Sequence, residues 1–490
     1  MDACHIAHEN FSREEIDIAA RSNKLLTLEL ELSLKCNFHC PYCYVPDKQA
    51  LKNELTFSEI CDVISQAKAL GAEKIILLGG EPTLHPNFFK VIEFINSNGM
   101  KAEIFTNGSK ITQKFADKLY RNNVRTVIKL NSFKPEIMEL LTGRPDSYKL
   151  AMLALKNLRN AGYPDNKHFL AVSTVICKQN IEEITELWTW LRNQNIEPYF
   201  EIITPQGNAK ENQWLEVTPE QTEKVFNEIA KIDSGQFNKK WKIQPPLVGS
   251  NCLRLLYSCL IDNKGFVKPC VGISESAGNI RENSLSNIIK SSEIIQYLRD
   301  YRKRIKGPCS KCDKAEECYG CRGAAFQQTG DPLASDPLCW KNQNKLDQIY
   351  SLPYPVKKII PQTLSMQMID YITRIGDKTV ETEMTVRADN PFLEKNKFLS
   401  EYVYAEIIAQ TVASANGFYA LGHGIKQGIG YVIGIKKMKI FAHAKVGDKL
   451  IIKMYKTTKF GHYGVVRGTV YLGSKILAQG ELKLFGDDVE

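Results

Sequence analysis

The sequence predicts an α/β protein: an open, partial (β/α)6 barrel, then a loop-rich segment, then a separate α+β domain. Three observations carry this expectation. From residue 26 to about 204, apolar β-rich runs alternate six times with stretches of helical period. From about 245 to 345 that periodicity fades while cysteine density rises. Beyond residue 361, one long apolar helix precedes several strands of alternating character.

The strands of the first region are "LLTLELELSL", "EKIILLGG", "KAEIFTNG", "RTVIKLNS", "FLAVSTVIC" and "PYFEIIT". Helices such as "FSEICDVISQAKAL", "NFFKVIEFINS" and "AMLALKNLRNAG" lie between them, and Gly71, Gly99 and Gly162 stand where a left-handed C-cap would end each. Six βα units in succession imply a parallel sheet with helices outside, too few strands for a closed eight-stranded barrel. Chemistry in such folds gathers at the C-terminal ends of the strands. "SLPYPVKKIIPQ" (351–362) reads as a proline-punctuated linker. After it come the helix "FLSEYVYAEIIAQTVASA" and the strands "GYVIGIKKMKIF", "DKLIIKMYKTT", "GVVRGTVYLG" and "KILAQGELKLF". The expected domains are 1–245, 246–350 and 351–490.

At 490 residues the chain exceeds one hydrophobic core. Apolar content of 43% and charged content of 24% are ordinary for a soluble protein. No run approaches the roughly 20 apolar residues of a membrane span, and "MDACHIAHENFSREEIDIAA" lacks the basic and apolar regions of a secretory signal. A cytoplasmic location is expected. In a reducing compartment, 14 cysteines point to metal ligation rather than disulfides. A net charge of +9 suits an acidic partner but gives no footprint for nucleic acid.

The first cysteine group is "SLKCNFHCPYCYVPD" (33–47), with Cys36, Cys40 and Cys43 directly after the first strand. A structural zinc site wants four ligands and a disulfide two. Iron–sulfur cubanes are held by thiolates, usually four, so three thiols would leave one iron open. The spacing C-x3-C-x2-C resembles the signature of the radical S-adenosylmethionine (SAM) superfamily, over about residues 26–205. Tyr42 supplies the aromatic residue before the third cysteine. "GGEP" (Gly79, Gly80, Glu81, Pro82) follows the second strand, where that family contacts the SAM amino group. "TNG", with Thr106 and Asn107, ends the third strand. "KLNS", with Asn131 and Ser132, ends the fourth, where relatives place ribose or carboxylate contacts. The resemblance implies that the open iron binds SAM and that reductive cleavage releases a 5′-deoxyadenosyl radical. The alternative is a zinc or redox thiol cluster.

The second cysteine field resembles the SPASM extension of radical SAM proteins, a loop-rich iron–sulfur domain. By that resemblance Cys252, Cys259, Cys270 and Cys321 hold one auxiliary [4Fe–4S] cluster, and Cys309, Cys312, Cys318 and Cys339 hold another. The total is then three clusters. A pair of zinc sites fits the same count. Two departures stand out: only Tyr319 and Gly320 separate Cys318 from Cys321, where the family often has three residues. Val271 also stands where sulfatase-maturing relatives carry a basic aspartate. Cys4, Cys61 and Cys177 belong to neither pattern.

Residues 361–487 resemble a hot-dog-fold 3-hydroxyacyl-carrier-protein dehydratase, through "TVRADNPFLEKNKFLSEYVYAEIIAQTVA", "GIGYVIGIKKMKIFAHAKVGD" and "ILAQGELKLF". Glu406, Ala409 and Gln410 keep the family's E-x-x-A-Q run, so Glu406 is the candidate catalytic residue. The partner histidine is missing, and Gln362 is its likeliest equivalent. Glutamine cannot shuttle a proton, so normal dehydration is expected to be lost. His423 and His462 are the histidines that would have to substitute. The domain then reads as an acyl-thioester platform or a homodimer module, with lysine-rich strands for an acidic carrier protein.

Three functions follow. The first is a radical SAM oxidoreductase acting on an acyl chain carried by an acyl carrier protein, supplied by an external electron donor. The second is a SPASM-type peptide or protein maturase, although the roughly 25 residues before the first strand are too few for the winged-helix leader-binding domain such enzymes often carry. The third is a non-catalytic iron–sulfur scaffold or electron-transfer protein.

Overall fold

The computed structural model describes residues 11–45, 52–350, 352–362, 366–376, 379–423 and 430–486. The chain forms two compact units, Met1–Asn342 and Gln343–Glu490.

In the first unit β1 (Thr27–Glu31), β2 (Lys74–Leu78), β3 (Lys101–Thr106), β4 (Arg125–Lys129), β5 (Leu170–Ile176) and β6 (Glu197–Ile202) form a parallel sheet in the order β6-β5-β4-β3-β2-β1. The helices Phe57–Ala69, Phe88–Ser97, Gln113–Arg121, Ser147–Ala161 and Ile184–Asn193 connect consecutive strands. Thr56 starts the first of them with a capping box closed by Glu59. Gly71, Gly99 and Gly162 all take positive φ at their helix ends.

Parallel strands buried on both faces read as near-continuous apolar runs, and β5 does so. In β1 the pattern alternates instead: Leu28 and Leu30 belong to the apolar core, whereas Glu29 and Glu31 are buried carboxylates. Both are partnered. Arg254 donates to Glu29 (2.9 Å) and the Tyr44 hydroxyl donates to Glu31 (2.7 Å). A third buried carboxylate, Glu103 on β3, lies between Lys74 of β2 (3.3 Å) and Arg125 of β4 (2.8 Å).

The boundary expected at 245/246 is not a break in the sheet. β7 (Leu260–Ile261) adds to β1 in parallel, with Glu29 opposite Leu260, and β8 (Phe266–Lys268) and β9 (Gly278–Asn279) follow antiparallel. The cysteine-rich segment therefore extends the first sheet. Backbone pairing with an otherwise open edge strand accounts for this.

The second unit is an antiparallel sheet in the order β10-β11-β12-β14-β15-β16-β13. Its strands are β10 (Tyr354–Pro355), β11 (Tyr371–Ile375), β12 (Thr379–Thr385), β13 (Gly430–Ile440), β14 (Lys449–Phe460), β15 (Tyr463–Leu472) and β16 (Lys475–Gly486). One helix, Val403–His423, buries Tyr404, Ile407, Ile408 and Phe418 in the core of this unit. The expected linker 351–362 is corrected here. Tyr354, Val356, Ile359 and Ile360 are buried in that core. A Cβ on Gly417 would meet the Ile359 carbonyl at 1.7 Å, so the segment lies directly on the helix backbone. Its prolines had hidden an apolar set that needed burial. No helix among the described residues is long and apolar enough to cross a membrane.

Candidate functional site

Immediately after β1 the chain turns through Cys36, Cys40 and Cys43, and hydrogen bonds from four other segments hold this turn. Gly80 and Glu81 donate their N–H groups to the carbonyls of Ser33 and Lys35 (2.8 Å each). His39 N–H donates to Thr142 O (3.0 Å) and Asn208 N–H to Cys43 O (2.9 Å). The Asn37 amide donates to Ser109 Oγ (2.9 Å). The two glycines of GGEP are needed for this approach: a Cβ on Gly79 would sit 2.2 Å from Ser33 O, and one on Gly80 would sit 2.4 Å from the carbonyls of Leu34 and Lys35.

Glu81, 3% exposed, fixes the next layer. Its carboxylate accepts from Thr83 Oγ1 (2.5 Å), Thr83 N (3.1 Å), Thr106 Oγ1 (2.7 Å) and Asn107 N (2.7 Å). Burial lifts its carboxyl above the usual range, and these four bonds oppose the rise. Glu81 thus ties the β2 end to the β3 end, with Pro82 opening a short 3₁₀ turn.

These elements surround a cavity of about 350 Å³. Its lining includes Cys36, Cys40, Tyr42, Cys43, Gly79, Gly80, Glu81, Thr106 and Asn107, but also Cys252, Cys270 and Cys321. Asn131 and Ser132 do not line it. Asn131 Nδ2 donates to Tyr42 Oη (2.8 Å), while Ser132 Oγ donates to Glu183 (2.9 Å) and accepts from Lys134 N (2.9 Å). Both side chains are committed to shaping the β4 end.

Sequence reasoning missed several polar residues on the cavity wall, among them Lys129, Ser173, Tyr199, Glu201 and Arg254. Lys129 donates to Ser173 Oγ (3.1 Å), and burial lowers its pKa. Tyr199 accepts from Arg254 (2.8 Å) and donates to Glu201 (3.3 Å). Lys129 and Glu201 carry a readable signal, being charges near the C-terminal ends of β4 and β6. Arg254 arrives at the start of a four-residue helix (Arg254–Tyr257), and no local pattern points to it.

The second cysteine field separates into two neighbourhoods. Cys252, Cys270 and Cys321 share the cavity wall, whereas Cys259 is buried in the apolar core with Arg299 and Glu29 as its charged neighbours. Cys309, Cys318 and Cys339 act electrostatically on one another, and Cys312 sits beside Asp313 and Lys341. Burial pushes the thiols of Cys259, Cys318 and Cys321 up to about 12, so a metal would have to displace their protons. Among the described residues no three Cys, His, Asp or Glu side chains are gathered to hold a single ion, so ligand sets rest on shared walls and donor chemistry. That chemistry fits iron–sulfur binding. None of these thiols is tied up in a disulfide among the described residues. N–H groups of Phe38, Gly320 and Ala324 already point at Cys36, Cys318 and Cys321 Sγ (3.4, 3.2 and 3.3 Å). Cys61 is half-buried, and Cys177 is buried with its thiol donating to Asn180 Oδ1 (3.4 Å). Cys4 lies outside the described residues.

Residues 30–191 match the radical SAM superfamily, 252–313 the SPASM iron–sulfur cluster-binding domain, and 354–490 the ApeP dehydratase family. The chain is a radical SAM–SPASM protein with a dehydratase-like C-terminal domain. Among curated relatives of this fusion's first part, the AdoMet-dependent heme synthase of Methanosarcina barkeri is 27% identical, over 65% of this chain and 97% of its own. The mycofactocin maturase MftC of Mycolicibacterium smegmatis is 28% identical over 64% and 82%. Streptococcus suis SuiB, solved with its precursor peptide SuiA, superposes with a TM-score of 0.51 at 17% identity, over 66% and 78%. That likeness shows the fold.

In the dehydratase-like domain Gln410 is fully buried. Its amide donates to Glu406 Oε1 (2.9 Å) and Met366 O (2.7 Å), while Met368 N donates to its oxygen (3.0 Å). Gln362 Oε1 is buried and accepts no hydrogen bond among the described residues. His462 is exposed, its ring 5.9 Å from that of Phe485. The side chain of His423 lies outside the described residues.

Proposed function

We propose that this radical SAM–SPASM protein is an oxidoreductase that cleaves SAM reductively and oxidises or rearranges a substrate held in the first unit's cavity, with an acyl chain on a carrier protein as the substrate. The observation that supports it best is that Cys36, Cys40 and Cys43 share one cavity with Cys252, Cys270 and Cys321. Cys36, Cys40 and Cys43 would hold the cluster with an open corner. The two four-cysteine sets of the second field would hold closed ones.

When bound, the open cluster and SAM supply a radical able to abstract hydrogen from unactivated carbon, which no side chain can do. The protein's part is placement. Gly80 and Glu81 fix the thiol-bearing turn through its backbone, and Glu81 with Thr106 and Asn107 sets the wall beside it. Lys129, near Cys40 and Cys43, gives a cation for a carboxylate bound there. Phe38, Phe105, Val127, Val175 and Leu247 give the site an apolar lining. Val271 lines the cavity, so the aspartate base of sulfatase-maturing relatives has no counterpart at that position.

The carrier-protein reading draws on the match of residues 354–490 to a dehydratase family and on retained Glu406 with no histidine partner among the described residues, which suits thioester binding more than dehydration. Lys437 and Lys439 on the edge strand β13 suit an acidic partner. A peptide substrate is the second reading, favoured by the maturases among the relatives. Anaerobically reconstituted protein, given SAM and a low-potential reductant, should form 5′-deoxyadenosine. Acyl-carrier proteins and short peptides should then be compared as accelerators. Intact SAM under every condition would refute the enzymatic reading, and acceleration by peptides alone would replace the acyl substrate.

A further inference from the structure

Tyr319 is one of the two residues in the shortened Cys318-to-Cys321 interval, and it is 2% exposed. Gly320 makes the turn possible: its φ is +63°, and a Cβ there would press on the Asp336 side chain at 2.6 Å. Across this turn Cys318 faces the Cys309 and Cys339 neighbourhood, while Cys321 faces Cys252 and Cys270. Tyr319 therefore sits where the two thiol sets meet. Its hydroxyl donates to Cys252 Sγ at 3.5 Å, its ring packs edge-on against Tyr301 (centroids 5.0 Å apart), and it reaches the cavity wall.

A hydroxyl in this place has a specific consequence. Reducing an iron–sulfur cluster adds negative charge that spreads onto its sulfurs, and a donor aimed at a ligand sulfur stabilises that added charge. Removing the donor from a buried, low-dielectric site lowers the reduction potential.

We propose that Tyr319 is a positioning and redox-tuning residue: its O–H···S bond to Cys252 raises the potential of the auxiliary centre nearest the substrate cavity. This rests on the reading of both cysteine sets as [4Fe–4S] ligands. A hydrogen bond to a charged acceptor is worth about tenfold in an equilibrium constant, which for a one-electron couple is about 59 mV.

The test is an EPR-monitored redox titration of the fully reconstituted chain against Tyr319→Phe, with Tyr301→Phe as a control. Tyr319→Phe keeps the ring packing and should lower one midpoint by the stated amount while leaving the other two unchanged. Tyr301→Phe, whose hydroxyl has no partner among the described residues, should shift none. The wild-type centre should also show an exchangeable proton by pulsed EPR in deuterated buffer, which gives a result even if the variant fails to load. Three unshifted midpoints in a loaded Tyr319→Phe, or a wild-type centre without that proton, overturn the proposal. Wild-type protein with iron at the first cluster alone overturns the auxiliary-cluster reading as well.

Discussion

Glu81 and Glu406 are both carboxylates placed by a short motif, yet their surroundings differ sharply. Glu81 accepts four hydrogen bonds from two strand ends, and backbone glycines beside it admit the thiol-bearing turn. Among the described residues Glu406 receives one bond, from Gln410, and the buried amide oxygen of Gln362, at the expected histidine position, meets no donor. A site whose polar groups are all fixed by neighbours can hold a reactive geometry. A site missing its proton carrier can still bind but cannot pass a proton. The first unit is therefore where the chemistry belongs.

The sharpest way to break this contrast is Cys36→Ala. Iron should fall by about four atoms per chain from a total of about twelve, and 5′-deoxyadenosine formation should vanish; turnover at normal iron content would refute the ligand assignment. Next comes Gly80→Ala, which forces a Cβ against two carbonyls and should cost at least about 100-fold in SAM cleavage, since small displacements of a positioned group have that effect. Glu81→Gln keeps the shape but weakens the ties to Thr83, Thr106 and Asn107. A loss of about 10- to 100-fold is expected, as for supporting residues of a metal site, with iron content preserved.

Glu103 separates stability from chemistry. Lys74 and Arg125 hold its carboxyl below the usual range despite burial. That contribution is present above the unfolded carboxylate pKa of about 4.3 and is lost as pH falls through the lower folded value. Denaturation of Glu103→Ala at neutral pH should show a loss of about 3–5 kcal/mol, the cost of stranding buried charges, and the difference from wild type should shrink below about pH 4. The smallest effect is expected from Glu406→Gln, which should leave 5′-deoxyadenosine formation in the absence of acyl substrate within about twofold. A larger loss would mean that the contrast between the two glutamates is misdrawn.

Much of this was legible in the sequence. Apolar runs alternating with stretches of helical period located β1 to β6, because burial on both faces leaves a continuous apolar record in runs such as "LAVSTVI". The cysteine spacing located the three-thiol turn. What could not be read is what depends on distant partners. Arg254 reaches Glu29 and Tyr199 from a short helix more than fifty residues beyond β6 in sequence. Asn131 looked like a cofactor contact until its amide was seen holding Tyr42. The segment 351–362 misled for another reason: proline punctuates linkers and buried irregular chain alike.

The pairing of β7 with β1 has a practical result. Cutting the chain after residue 245 would strip β1 of a ladder neighbour and Glu29 of its guanidinium partner. A bare edge beside a buried carboxylate that has lost its Arg254 partner invites aggregation. The first unit is thus expected to be recoverable only with the auxiliary segment attached, and truncations aimed at a minimal SAM-cleaving core should keep the chain through Asn342.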